Sequence, residues 1–573
     1  MPGDYEVTLF LHILRYKVRS FLNATFEVSS ISVIRGIGSL LVFGGFAVGA
    51  YYFSNNITAF VLEQTRTGLY LYHRFISMML FVFFVAVNMG NVIVSYSTLY
   101  RSGEVSYFMT KPIPHITIFL HKFLDNFFYS STTLFLVAFA VLLGYGTYFG
   151  YSWYFFAGVM FFVLIPFMFL AACMAVLVLM GVMRLAGRFG FRPVMGGLFA
   201  VYVGFIALFF RSSNPVRLIE QVNRYYPNVD NYLSQLDPGF LNYLPSHWVA
   251  EFLFFLARGD VARGVSHAGI LLCTVAGMFA VLVLVASRYY YKSWLISLKI
   301  QAAASAPYDP EKANVVDFRS SGLLKGALES LVKKEYLTFV REPSQVIHLI
   351  VMLVLTTLFV ASIGNLNLRI RVTEIQLVTY LVLFAFGGFL VSSVALRFVY
   401  PAVSLEGNAF WALRSAPVRP EAILALKFAI GFFIVFFLAF VVSFASNVPF
   451  LRFSGRTPLL PWFGLFSAFW MSLAVVGLNL GLGGYFANYN EKNPIRVAST
   501  QGATLTFLCT LVFLIVLVVI FLYPLSVYFQ SLFIFRPFDR WSIVVPGTLA
   551  GMISTAVCGV SFAVGLRSLR RDW

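Results

Sequence analysis

Charged residues are spaced along this chain so that eleven stretches of 18 or more residues lack Asp, Glu, Lys and Arg. They are 36–62, 75–100, 126–183, 193–210, 264–287, 343–368, 375–396, 428–451, 457–490, 497–535 and 541–566. A helix that crosses a bilayer needs about 20 such residues. The third stretch is long enough for two helices, and Gly144-Tyr145-Gly146 followed by Gly150-Tyr151-Ser152 supplies a turn in its middle. The pattern predicts an all-α polytopic membrane protein with twelve transmembrane helices.

Three segments carry amphipathic rather than uniformly apolar patterns. Segments 11–23 and 330–341 place apolar residues on one face and Arg15, Lys17 and Arg19, or Lys333, Lys334 and Arg341, elsewhere, as helices lying in a membrane interface do. Segment 211–263 reads as two short amphipathic helices, near Val216–Tyr226 and Trp248–Arg258, separated by Asp237-Pro238-Gly239. Residues 291–329 read as a linker, with Ala302-Ala303-Ala304-Ser305-Ala306-Pro307 as its flexible part. The chain then divides into a first six-helix half at 1–290, the linker at 291–329, and a second six-helix half at 330–573.

Composition removes the soluble alternatives. Hydrophobic residues make up 60% of the 573 and charged residues 11%, under half the charged share of a soluble domain. The net charge of +18 would suggest nucleic acid in a soluble protein. Here it sorts by side: with the N-terminus placed inside, alternate loops hold 28 of the 41 Lys and Arg on the cytoplasmic face, as the positive-inside rule requires. Both termini are therefore expected to be cytoplasmic, with no nucleic-acid partner. Met1-Pro2-Gly3-Asp4-Tyr5-Glu6 does not resemble the basic start of a signal peptide. Cys173, Cys273, Cys509 and Cys558 lie in apolar runs and read as small packing residues.

The two halves repeat. At an offset of 305, Pro112, Ile118, Lys122 and Phe123 meet Pro417, Ile423, Lys427 and Phe428, with Thr110 meeting Ser415. Pro193 meets Pro494 at an offset of 301, and Ser20-Phe21-Leu22 meets Thr338-Phe339-Val340 at 318. Each half has an even number of spans, so the repeats run parallel. In the repeated loop, Thr110 or Ser415 is suited to cap a helix start and proline to its first turn. A short surface helix feeding the next span is expected, with Lys122 or Lys427 where that span enters the membrane. Such a helix serves either as an anchored interfacial element with a snorkelling lysine or as a docking element that transmits motion.

Chemical motifs are sparse. The sequence has no GxxxxGK[ST], HExxH, GxSxG or paired CxxC, and no two histidines fall three or four residues apart. No metal site or catalytic residue is expected. The span interiors lack Asp and Glu, which argues against ion coupling. Arg35, Asp125, Arg288 and Arg397 lie at span ends, where anchoring accounts for them.

In order and topology the chain resembles permease subunits of type-2, or type V, ATP-binding-cassette exporters, and more closely the bacterial exporter permeases that fuse two six-helix halves. The residues behind the resemblance are the loops Pro112–Phe123 and Pro417–Phe428, Ser404-Leu405-Glu406-Gly407 with Phe410-Trp411, Leu244-Pro245-Ser246-His247-Trp248, and Glu491, Asn493 and Pro494. The resemblance implies a membrane-spanning permease subunit of an ATP-driven exporter in a bacterial inner membrane, moving a lipophilic or amphipathic substrate. It implies no enzyme activity and no cofactor of its own, ATP being bound by separate nucleotide-binding subunits, with membrane lipids and a second copy of the chain as further partners. Its ATPase-coupling residues would be Thr110, Pro112, Pro114, Lys122, Phe123, Ser415, Pro417, Pro420, Glu421, Lys427 and Phe428, with Glu104 and Glu406 as loop acids. The first half departs from the pattern, having Ser102-Gly103-Glu104-Val105 in place of Ser-Leu-Glu-Gly. The alternative is a polytopic polysaccharide polymerase or ligase using the arginines of the segment 211–263.

Overall fold

A computed structural model describes residues 15–16, 19, 30–64, 69–213, 241–305, 326–364, 373–416, 418–451, 459–491, 493–533 and 540–571. Every regular element among them is helical. The helices are α1 (Ser30–Ala59), α2 (Leu69–Tyr100, closing in a π turn), α3 (Gly103–Met109), α4 (His115–Tyr148), α5 (Trp153–Phe189), α6 (Phe191–Ser213), α7 (Pro245–Ala257), α8 (Val261–Ser305) and α9 (Gly326–Arg341). They continue as α10 (Pro343–Gly364), α11 (Thr373–Phe398), α12 (Phe410–Ser415), α13 (Pro420–Leu451), α14 (Leu459–Tyr485), α15 (Pro494–Val497), α16 (Gln501–Phe533) and α17 (Trp541–Arg571). By contacts the chain divides into two compact units, Met1–Ser305 with Leu353–Leu358 and Ala306–Met352 with Phe359–Trp573.

Among the described residues, ten helices are long and apolar enough to cross a membrane: α2, α5, α6, α8, α10, α11, α13, α14, α16 and α17. The charge spacing predicts twelve. The two others coincide with α1 and α4; α1 is not among the ten, and α4 contributes only the shorter apolar run Phe135–Tyr148. The long stretch 126–183 does break in two, but at Gly150, whose φ of +67° suits a residue without a Cβ. Gly144 lies inside α4 instead, where a Cβ would collide with the Tyr51 carbonyl and Ser54 of α1. Ser54 Oγ donates to the Val141 carbonyl at 2.7 Å and Asn55 Nδ2 to the Gly144 carbonyl at 3.2 Å. The glycine is thus needed for helix approach rather than for a turn.

Pro166 interrupts α5, since it has no N–H to give the preceding turn. The helix widens just before it into a π turn at Met160–Leu164. The segment Trp248–Arg258 is helical, but α7 is not a surface element: Val249, Ala250, Phe252, Leu253 and Phe254 are buried, with Phe254 edge-on to Tyr70 of α2 at 5.8 Å. The helix predicted at Val216–Tyr226 lies outside the described residues, as does most of segment 11–23. Segment 330–341 falls within α9. α8 continues as one 45-residue helix through Ser305 and takes in Ala302–Ala304; alanines are strong helix formers.

In the second unit the closest helix contacts also run over small residues. Gly477 and Gly481 of α14 face Cys558 and Ser561 of α17, and Gly565 faces Gly481 in return. A Cβ at Gly481 would overlap the Ser561 carbonyl. Small residues four apart let two backbones meet where apolar side chains gain nothing by leaving lipid.

Candidate functional site

Lys122 and Lys427 each lie two turns into a long helix, α4 or α13, and both are buried, with side chains 5% and 4% exposed. An ammonium out of water is tolerated only with compensating charge. Lys122 is paired with Glu104 of α3, and Asp125 lies 3.8 Å away on the same helix. Lys427 is held by Glu406 at 2.6 Å, by Glu335 of α9 at 2.7 Å and by the Ala402 carbonyl at 3.0 Å. Lys334 completes this second group, bonding Glu406 and lying 3.1 Å from Glu335. Two cations and two anions therefore share one junction. Burial alone would raise the Glu335 carboxyl, but Lys427 and Lys334 outweigh it and hold it below the usual carboxylate value.

Local chemistry aims Glu406. It sits on a 3₁₀ segment, Ser404–Ala409, which kinks at Gly407 with φ +57° and ψ −151°. That conformation favours glycine, and the position also lies close to the Tyr489 carbonyl. Phe410 stacks on Tyr489 at 5.2 Å, and Ser404 Oγ accepts from the Asn488 N–H at 3.1 Å. Next to this, Asn493 caps α15 by accepting from the Ile495 N–H at 3.0 Å, Pro494 takes the first helical position, and Glu491 accepts from the Asn493 N–H. The Ser-Leu-Glu-Gly, Phe410 and Glu491–Pro494 motifs thus meet in one place.

The loops before α4 and α13 repeat bond for bond. Thr110 Oγ1 donates to the Tyr107 carbonyl at 2.7 Å, and Ser415 Oγ to the Ala412 carbonyl at 3.1 Å. The Ile113 N–H reaches the Lys111 carbonyl at 2.8 Å, and the Val418 N–H reaches Ala416 at 2.7 Å. Thr117 and Ile118 both donate to the Pro114 carbonyl, as Ala422 and Ile423 do to Arg419. Each pair is related by the same offset of 305.

This geometry revises several site residues. Thr110 and Ser415 close the preceding short helices rather than cap the following long ones. The long helices begin at His115 and Pro420, not at Pro112 and Pro417, and each continues as a single helix, to Tyr148 and Leu451. The separate short helices are α3 and α12, ahead of the loop. Pro114 stands just before the first turn of α4 and Pro420 opens α13, while Pro112 lies in the turn and Pro417 is outside the described residues. Glu421 pairs with Arg570 of α17. Phe123 is buried between Phe119 and Phe169, and Phe428 meets Phe562 edge-on at 6.1 Å. Sequence reasoning missed Glu335 as a partner of Lys427 and Lys334 as a partner of Glu406. The available signal was the position of Glu335 in an amphipathic segment at the same end of the spans.

The Leu244–Trp248 motif builds a different polar group in the first unit. His247 Nδ1 lies 3.4 Å from Arg74 Nη1, and its Nε2 lies 3.9 Å from Glu251. Burial, with Arg74 and His267 nearby, pushes the His247 imidazole down to about 4.

A family profile described as putative ATP-binding cassette matches residues 29–572. The chain belongs to that family. No curated protein and no solved structure matches it. Together with the ten apolar helices, membership marks this chain as a membrane-type ATP-binding cassette transporter protein that acts within a transporter system. The match also corrects the resemblance. A permease subunit, without enzyme activity or cofactor and served by separate ATPase subunits, was expected; the family description instead places the ATP-binding label on this chain itself, across nearly its whole length. The polymerase or ligase alternative falls to the same match. The residues present do not fit a P-loop nucleotide site: the sequence has no GxxxxGK[ST], and among the described residues there is no strand to lead into one.

Proposed function

We propose that this cassette-family chain is an integral membrane component of a bacterial transport system, working in the inner membrane. It consists of two tandem six-helix halves with both termini on the cytoplasmic side. The lysine-centred junctions mechanically tie the short helices and loops at the ends of the spans to α4 and α13. A continuous helix of 34 or 32 residues carries a displacement at its first turn along most of its length, because its backbone bonds leave no soft joint before Pro449 near the end of α13. The ion pair then selects which neighbouring segment moves with it.

The observation that carries this reading is the repetition, at one offset, of the same loop hydrogen bonds and the same buried lysine with a carboxylate. Lipid anchoring alone would require only a snorkelling lysine with its ammonium in water, whereas both ammonium groups are turned inward. The test is charge reversal at both positions, Lys122→Glu with Lys427→Glu, in the full chain purified from membranes together with whatever co-purifies. ATP turnover of that preparation is expected to fall by roughly 5–150-fold, the range of ordinary coupling energies. Turnover equal to the wild-type preparation, in variants that stay folded by circular dichroism, would reduce the lysines to structural anchors.

A further inference from the structure

Arg397, near the end of α11, was expected to anchor in the interface, but its guanidinium turns onto α10. Its Nη1 lies 3.0 Å from His348 Nε2. An arginine only donates, so Nε2 must accept, and the proton of the neutral ring therefore resides on Nδ1. That atom is buried in a residue 1% exposed and has no hydrogen-bond partner among the described residues. Among the same residues no carboxylate pairs with Arg397. The site thus presents a cation that lacks an anionic acceptor among the described residues. Phe398 borders it, edge-on to His348 at 6.3 Å and 5.9 Å from Phe339 of α9.

The first unit shows what completes such a pair. There Arg74 meets His247, and Glu251 lies within 3.9 Å of the ring. Among its described residues the second unit has the arginine and the histidine without the acid. A charge in a spanning helix persists only with a partner, and the partner here is not supplied by the described protein.

We propose that the Arg397–His348 site binds the phosphate diester of an anionic membrane lipid. The oxyanion accepts from the guanidinium N–H groups of Arg397 that His348 does not take, Arg397 being partly exposed, while His348 Nε2 holds the guanidinium in place. A lipid headgroup is the fitting source because the site lies at the ends of two spanning helices beside the amphipathic helix α9, at headgroup depth, where basic pockets between helices meet lipid phosphates. This inference rests on membrane embedding and on nothing else in the proposed function.

The test uses the full chain, purified, stripped of lipid and placed in phosphatidylcholine nanodiscs with or without phosphatidylglycerol. Phosphatidylglycerol is expected to raise the thermal midpoint by several degrees, and inorganic phosphate added to the phosphatidylcholine sample is expected to leave it unchanged. Arg397→Gln should abolish the shift. Should that variant fail to fold, His348→Glu gives an independent reading: it places a carboxylate against Arg397, so it should fold in phosphatidylcholine and no longer respond to phosphatidylglycerol. Equal midpoints for the wild type in both lipids would overturn the proposal, as would a full response to phosphatidylglycerol in either variant. An equal shift from inorganic phosphate would overturn the lipid assignment.

Discussion

The two lysine junctions share a loop, an offset and a charge pair, yet differ in how far they exclude water. Lys122 is buried, but its partner Glu104 keeps 62% of its side chain exposed. Lys427 meets Glu406, which is 6% exposed, and Glu335, which is 21% exposed, with Lys334 on the far side. Water screens the first pair and hardly reaches the second, and screening decides whether an ion pair contributes little or much. The same repeat has therefore produced a loose junction in the first unit and a tight one in the second. In the second unit the acid that helps to enclose Lys427 comes from α9.

The largest expected effect breaks the tight junction. Lys427→Ala leaves Glu335 and Glu406 facing each other with only Lys334 between them. Removing one partner of a buried pair costs about 3–5 kcal/mol, to be read as a lower unfolding free energy in detergent. A cost below about 1 kcal/mol, the ordinary value for an exposed pair, would erase the distinction between the junctions.

A smaller effect sharpens the role of α9. Glu335→Gln keeps the shape but removes the charge that bonds Lys427, and a hydrogen bond to a charged group contributes about 1.5–3 kcal/mol. Acid titration should report the same group. Because its carboxyl is depressed in the folded state, its contribution is present above the ordinary value of 4.5 and is lost as pH falls through the folded value. His247 in the first unit acts in a different window. Its folded value is lowered from 6.5 to about 4, so the unfolded chain takes up the proton first and stability declines as pH falls from 6.5 toward 4. Acid unfolding should therefore weaken the surroundings of α7 before those of α9, measured by hydrogen exchange of the two helices; the reverse order would contradict these assignments.

The smallest effect is expected at the loose junction. Lys122→Ala removes a partner of a carboxylate that is 62% exposed, so the ion-pair part of its cost should be about 1 kcal/mol or less. A cost equal to that of Lys427→Ala would mean that Glu104 is as enclosed as Glu406.

Much of this was legible in the sequence. Spacing of charges placed the ten apolar helices, since the bilayer's thickness fixes a minimum run length. The offset of 305 picked out Lys122 and Lys427, and the loop motifs marked Glu104 and Glu406 without showing that they pair with the lysines. Helix starts were less legible: Pro112 and Pro417 looked like first-turn prolines, but Thr110 and Ser415 spend their hydroxyls on the helix behind them. Ile113 and Val418 close tight turns before the long helices begin. Arg397 looked like an anchor because a residue at a span end usually reaches water, and its contact with His348 was not legible.

The sequence by itself determined the helical, apolar character of the protein, the position of its apolar helices and the repetition of two loops, because these follow from local composition and from repetition along the chain. Tertiary structure alone decided the partners. Lys427 and Glu335 are 92 residues apart and Lys122 and Glu104 are 18 apart, and no local rule carries a side chain across such distances. Packing placed Lys427 against Glu406, which is 6% exposed, and Lys122 against Glu104, which is 62% exposed. The physical reason is that burial, and not residue identity, sets the strength of a charge pair.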